Sequence, residues 1–208
     1  MNIIGKSPQH SNVVFVSSKQ DSMPALDVGT MYSLFPGDAA RNSSLIDDAA
    51  MGFKIFSFPN HRVRIIQEQN RVRIEDISAK NPEESKIGEE AHRIIRALFP
   101  PRSFQSYGFN FDVYFRFDNV IPQREILSNF LSAEKLEDVR NFGWQFTIHP
   151  QKDDRKSTYF FKVISPIEIA LHANVHHENG IPNSAEELQK ACEKNYQDID
   201  AIFDDLNF

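Results

Sequence analysis

The sequence predicts an α+β fold, in which two main amphipathic helices pack on one face of a largely antiparallel sheet. Residues 107–118 alternate apolar and polar side chains, the pattern of a strand with one buried face. Residues 81–98 and 184–206 repeat apolar side chains at helical spacing instead. Along the chain we expect strands, a helix, a strand, helices, three strands and a final helix, an order that favours the α+β class.

The composition is that of one globular domain. The chain has 208 residues, of which 40% are hydrophobic and 25% charged, so we expect a single α+β domain over residues 1–208. A formal charge of −6 disfavours nucleic acid as a partner without excluding it. Cys192 is the single cysteine, and no apolar run is long enough for a secretory signal or a membrane span. We therefore expect a cytoplasmic protein that has no membrane contact.

The first strands are separated by an irregular segment. Residues 12–17 and 52–58 are rich in β-branched and aromatic side chains, which predicts two strands. Residues 18–50 between them form a possible irregular arm, because Gly29 and the Pro36-Gly37 pair weaken a short helical pattern. So long a connection is often functional or mobile.

Residues 62–74 contain the pattern Arg-Val-Arg-Ile twice, which predicts a hairpin. Alternation along each strand places the aliphatic side chains on the buried side and the arginines on the other. This fixes the parity of the pairing but not its register. The arginines are candidate ligands for phosphate or carboxylate, and they are Arg62, Arg64, Arg71 and Arg73. Neutralisation by Glu68, Glu75 and Asp76 on an exposed charged sheet face is the commoner explanation.

The next elements are a capped helix, the alternating strand and a helical region. Asn81 precedes Pro82 and two glutamates, so one helix should begin there and end before Pro100-Pro101. In residues 107–118 the phenylalanines and Val113 share the buried face. Residues 122–139 predict one interrupted helix or two short ones.

The last part of the chain predicts three strands and a helix. Residues 144–149 alternate, whereas residues 157–165 are apolar on both sides apart from Lys162, which predicts a central strand covered on both faces. Ser184 and Glu187 have the spacing of a capping box. Cys192 falls in the apolar stripe of the final helix, which predicts a packed thiol rather than a nucleophile.

His172 and His176 lie four residues apart in a segment with two interpretations. Five consecutive odd positions from Ile167 to Val175 are apolar, which favours a strand and puts the two histidines roughly 13 Å apart. Ser165-Pro166 could instead begin a helix, on which both imidazoles could reach one metal ion. Neither interpretation supplies a complete ligand set, so we predict no metal and no cofactor.

Polar side chains of several predicted strands could share one sheet face. They are Asp112, Arg116, Gln145, His149 and His172, with His176 beyond them. Because the sequence contains no nucleophile or nucleotide-binding motif, the first hypothesis is a non-enzymatic binding or assembly protein, with a protein partner or a homo-oligomer. It would act through the polar sheet face, the arm, or both. The alternative is a hydrolase that uses Asp112, His149 and His172, and a weaker one is phosphate or nucleic-acid binding by the arginine hairpin.

Overall fold

The computed structural model describes residues 2–17, 26, 28–36, 44–48, 52–128, 131–136, 142–150 and 154–205. Nine strands within these residues form one sheet. Their order is β2-β3-β4-β5-β1-β6-β9-β8-β7, and every neighbouring pair is antiparallel. The strands are β1 (Ile3–Val16), β2 (Ser44–Asp48), β3 (Phe53–Phe58), β4 (Val63–Gln67), β5 (Arg71–Asp76), β6 (Ser106–Phe117), β7 (Gly143–Ile148), β8 (Arg155–Ser165) and β9 (Glu168–His177).

Six helices accompany the sheet in the described part of the chain. They are α1 (Val28–Leu34), α2 (Pro82–Ser85), α3 (Ile87–Leu98), α4 (Gln123–Ser128), α5 (Ala133–Leu136) and α6 (Ala185–Asp205). The two long helices, α3 and α6, pack against each other and against one face of the sheet, which confirms the predicted α+β class. Among the described residues, every helix is too short or too polar to span a lipid bilayer.

The core lies between the sheet and the two long helices. The alternating side chains of β6 form its centre, and Phe109, Phe111, Val113 and Phe115 are fully buried there, as predicted. Fully burying one such phenylalanine contributes roughly 1.5–3 kcal/mol, so this strand anchors the fold. Cys192 of α6 is also buried, and burial raises the pKa of its thiol, which fits the predicted packed side chain.

The predicted first helix is divided in two. Asn81 caps α2 by accepting a hydrogen bond from the Glu84 amide at 2.9 Å, as its position predicts. Lys86 then has a φ of 54°, and its amide donates to the Pro82 carbonyl, so the chain turns before α3 begins. The expectation of one continuous helix was therefore wrong, because a left-handed residue interrupts it.

The first strand is longer than predicted. It begins at Ile3 rather than at residue 12, and it pairs with β6 over nearly its whole length. Its register shifts between Ile3 and Gly5 and again between Pro8 and His10. These irregularities interrupt the alternation from which a strand is recognised.

β8 was expected to be covered on both faces, and this was wrong. Tyr159, Phe161 and Val163 are buried, but Phe160 is 44% exposed and Ile164 42% exposed on the opposite side. β8 lies one strand from the sheet edge, and Phe203 of α6 packs on Phe161 at its inner face. The outward apolar side chains therefore remain in contact with solvent.

The segment of residues 165–177 contains a strand, β9, and not a helix. β9 runs antiparallel between β6 and β8, so His172 and His176 share one face of a regular strand and cannot chelate one metal ion. At the start of α6, Ser184 Oγ accepts a hydrogen bond from the Glu187 amide at 3.1 Å, as the capping-box spacing predicts.

The proposed arm is described only in part. Residues 28–34 form α1 and residues 44–48 form β2, and Leu26, Met31 and Phe35 are buried against the core. Residues 18–25, 27, 37–43 and 49–50 lie outside the described residues, and the arm remains a prediction for them.

Candidate functional site

The sheet face opposite α3 and α6 carries most of the polar side chains singled out above, and we call it the open face. Its strands are those of the sheet centre, and their outward side chains occupy alternate positions that are in register from strand to strand. The residues that define the open face are His10, Asn12, Arg64, Arg71, Arg73, Glu75, Asn110, Asp112, Tyr114, Arg116, Thr158, Phe160, Lys162, His172, Asn174 and His176.

Glu75 is the centre of an ion cluster on this face. Its side chain is only 5% exposed, and three cationic side chains surround it. Arg64 Nη1 lies 3.2 Å from Glu75 Oε2, while Arg73 Nε lies 3.1 Å and His10 Nε2 3.6 Å from Oε1. A nearly buried carboxylate requires such compensation because desolvation disfavours its charge.

Asp112 extends the cluster across β6. His10 Nδ1 lies 3.3 Å from Asp112 Oδ2, and His172 Nδ1 lies 2.7 Å from Asp112 Oδ1. His10 thus bridges the carboxylates of Glu75 and Asp112, and the line continues to His172 on β9. Side chains of five strands are joined in this way: β4 and β5 through Glu75, β1 through His10, and β6 and β9 through Asp112.

The pKa values of these groups reflect their pairing. The hydrogen bond to Asp112, then that to Glu75, raises the pKa of His10 to about 9 despite its partial burial. Burial alone would raise the pKa of Asp112, but hydrogen bonds with His10 and His172 hold it well below its usual value. Burial would likewise raise the pKa of Glu75, and its contact with His10 lowers it, followed by the charges of Arg73 and Arg64. At neutral pH the bridge is therefore an imidazolium between two carboxylates.

A row of amide side chains lies beside the ion cluster. Asn12, Asn110 and Asn174 face one another in register on β1, β6 and β9. Asn110 Nδ2 donates to Asn12 Oδ1 at 2.8 Å, and Asn174 Nδ2 donates to Asn110 Oδ1. The same row continues to Thr158 and Thr147, whose hydroxyl oxygens lie 3.0 Å apart. Polar groups on this face are thus positioned by one another as well as by the backbone.

A shallow groove of about 350 Å³ crosses this surface. Val14 and Gly108 form part of its floor, with Arg71 and Arg73 on one side and His176 on the other. Gly108 is required there, because a Cβ atom would lie 2.8 Å from the Val175 carbonyl oxygen of β9. Glycine at this position therefore permits the close approach of the β6 and β9 backbones.

The structure brings most of the sequence-predicted site residues to one face. Arg64 and Arg73 contact Glu75, and Arg71 pairs with Glu68, so the hairpin arginines are largely neutralised by local acids. Arg116 Nε lies 3.3 Å from Glu168 Oε1, and His176 lines the groove. The anion-binding interpretation of the hairpin is correspondingly weakened.

Two predicted residues lie elsewhere. Arg62 has a φ of 56° and ends a short 3₁₀ turn before β4, so it does not continue the row of hairpin arginines. His149 follows the edge strand β7, whereas Asp112 lies on β6, three strand positions away. At about 4.8 Å per strand this separates the two side chains by well over 10 Å. The hydrolase trio of Asp112, His149 and His172 is therefore not assembled.

His10 is a site residue that the sequence did not predict. It takes the place beside Asp112 that His149 was expected to fill. Asn12, Asn110 and Asn174 were also missed as a group. Three asparagines at outward positions of different strands are a weak signal, because only the register shows that they meet.

The side chains of the open face contact one another through hydrogen bonds and ion pairs. Within the described ranges, no group of three or more histidine, cysteine, aspartate or glutamate side chains is arranged to hold a metal ion. The Asp112–His172 pair could orient the imidazole as a general base, since its Nδ1 faces the carboxylate. No protein-family model matches the chain, and no curated protein is significantly similar to it.

Proposed function

We propose that this protein is a non-enzymatic binding protein that engages a protein partner through the open face. The observation that carries the proposal is the exposure of two large aromatic side chains on that face. Tyr114 is 45% exposed and Phe160 44% exposed, on the two strands that flank β9. Aromatic residues and arginine are enriched where protein interfaces bind most strongly.

The surroundings of the two aromatic side chains support the same proposal. Across β9, Tyr114 faces Ala170, whose small side chain leaves space between Tyr114 and Lys162. Phe160 faces His172, which is held by Asp112. Apolar rings surrounded by charged and polar groups are the usual composition of a docking surface.

Rigidity of the face favours binding as well. The ion cluster and the amide row fix their side chains in the unbound protein, so that little side-chain entropy remains to be lost on association. All of these groups stand on strands in the middle of the sheet rather than on loops. Such a surface fits a partner of defined shape.

The experiment is affinity capture from extracts of the native cells, followed by binding measurements with the purified partner. The double variant Tyr114→Ser with Phe160→Ser should lose the partner. The control is Val28→Ser with Val120→Ser, which removes two exposed apolar side chains outside the open face. Retention of the partner by the open-face variant, or its loss from both variants, would contradict the proposal.

The Asp112–His172 pair supports hydrolysis as a second candidate function. At 2.7 Å the carboxylate orients the imidazole, which leaves Nε2 to accept a proton from water. Turnover of activated ester and phosphodiester substrates should then disappear in His172→Gln and persist in His149→Gln. Activity that is unchanged in His172→Gln would exclude this candidate.

A further inference from the structure

β7 is one of the two edge strands of the sheet. Among the described residues, it pairs with β8 on one side and with no strand on the other. Its sequence, GWQFTI, contains no charged residue and no proline. Edge strands normally carry such residues because an unpaired edge is a template for another strand.

The opposite edge is different. β2 carries Asp47 and Asp48, and Asp47 lies 3.0 Å from Lys54 Nζ of the neighbouring strand. Charges of this kind on an edge strand oppose pairing with a second copy. The charged side chains of β2 therefore oppose pairing with a further strand, whereas β7 carries no charged side chain that would do so.

Among the described residues, β7 is the last strand that contributes to the aromatic layer of the core. Trp144 stacks on Phe161 with ring centroids 4.8 Å apart, and Phe146 lies 5.5 Å from the same ring. Phe161 is fully buried, but Trp144 and Phe146 are only partly buried, and Ile148 is 42% exposed. Apolar side chains added beyond the edge would bury more of Phe146 and Ile148.

The backbone groups that face outward can be identified from the ladder with β8. The Val163 amide donates to the Phe142 carbonyl, so residue 142 directs its hydrogen bonds toward β8. The register is regular from Gly143 to Ile148. Backbone hydrogen bonds alternate in direction along an antiparallel strand. The amides and carbonyls of Gly143, Gln145 and Thr147 therefore point away from the sheet.

We propose that β7 pairs antiparallel with β7 of a second copy of this chain, about a two-fold axis at Gln145. A second copy fits because directly opposite residues share a face, so that the aromatic side chains of one copy continue those of the other. The uncharged strand places no like charges across the axis. Pairing centred on Gln145 also sets Gly143 opposite Thr147, so that all three outward residues of each copy form hydrogen bonds.

This contact is independent of the proposed partner binding, because it uses the edge of the sheet and not Tyr114 or Phe160. It joins two sheets into one continuous sheet, with the helices of both copies on the same side. An interface of this kind is isologous, since each residue meets its symmetry counterpart.

The first test is the mass of the purified protein by sedimentation velocity over a range of concentrations. The expected species is a dimer of the 23.9 kDa chain. Gln145→Lys should convert it to monomer, because two like charges would face each other at the axis. The control Ile46→Lys, on the charged edge strand β2, should remain dimeric. A monomeric wild-type protein, or a dimer unaffected by Gln145→Lys, would overturn the proposal.

A cysteine cross-link tests the register. Directly opposite residues of a hydrogen-bonded antiparallel pair lie about 5.5 Å apart at Cα, within the range of a disulfide. Gln145→Cys should therefore form a disulfide-linked dimer under mild oxidation, and native Cys192 does not compete because it is buried. Thr147→Cys should not, since its counterpart lies about 13 Å away. Cross-linking of Thr147→Cys in preference to Gln145→Cys would overturn the proposed axis.

Discussion

Gln189 of α6 caps the N-terminus of α3 at Gly88. Its Oε1 accepts hydrogen bonds from the Gly88 amide at 2.8 Å and the Glu89 amide at 3.2 Å, while its Nε2 donates to the Pro82 carbonyl at 2.7 Å. One buried amide thus connects α2, α3 and α6 and satisfies backbone groups that the helix itself leaves unpaired. This explains why a polar side chain is retained between two packed helices.

Replacing Gln189 by Leu should lower the free energy of unfolding by about 1–3 kcal/mol. The substitution keeps the side-chain volume similar but leaves buried amides of α3 without an acceptor. Urea denaturation measures the loss. Gln197→Leu on the same helix is the control, because Gln197 donates to Glu83 at the exposed surface and should change stability by about 0.5 kcal/mol or less. Equal losses in both variants would contradict the capping role.

Gly88→Ala should also destabilise the protein, although alanine is intrinsically the better helix former. A Cβ atom at Gly88 would lie 2.6 Å from the Gln189 Cα, so the two helices would have to move apart. Overpacking of this kind costs about 1–3 kcal/mol, against a propensity gain of about 1 kcal/mol. Gly5→Ala is the control, since its Cβ would lie 3.6 Å from the nearest atom. Thermal unfolding that shows Gly88→Ala to be stabilised would refute the close approach.

The sequence predicted the elements whose signals are local. The alternation of β6 and the caps at Asn81 and Ser184 are properties of neighbouring residues, and the structure has them as expected. The division between α2 and α3 at Lys86 was not predicted, because no residue pattern around a lysine indicates that it will adopt a positive φ. The Gly88 amide that follows this turn donates to Gln189, which is distant in the sequence.

The candidate site was predictable only in part, because it depends on register. The polar faces of β6 and β9 follow from alternation, so Asp112 and His172 could be assigned to one surface. His10 could not, since Gly5, Pro8 and two register shifts interrupt the pattern of β1. The contact between His10 and Asp112 depends on how β1 and β6 pair. The alternation of apolar and polar residues within one strand does not predict that register.

The His10 bridge should contribute stability that depends on pH. Because its pKa is raised to about 9 in the folded protein from 6.5, the contribution is fully present below pH 6.5 and is lost as the pH rises through 9. We expect a value on the order of 1 kcal/mol, since the side chain is 29% exposed and solvent screens the charges.

The measurement is the free energy of unfolding of the wild type and of His10→Gln between pH 6 and pH 10. The difference between them should shrink across this interval. His176→Gln is the control, because this histidine lies on the same face in the groove and outside the ion cluster. A difference that stays constant with pH would show that His10 is not the bridging cation.

Asn110→Ala should destabilise the protein more than its partial exposure suggests. Asn110 donates to Asn12, which is buried, and accepts from Asn174, so the substitution interrupts the amide row at its centre. The buried Asn12 oxygen loses its donor, at a cost of about 1–2 kcal/mol. Thr158→Ala, in the same row but paired with Thr147 at the exposed end, should cost about 0.5 kcal/mol or less. Chemical denaturation of the two variants distinguishes a structural row from independent surface amides, which would give equally small effects.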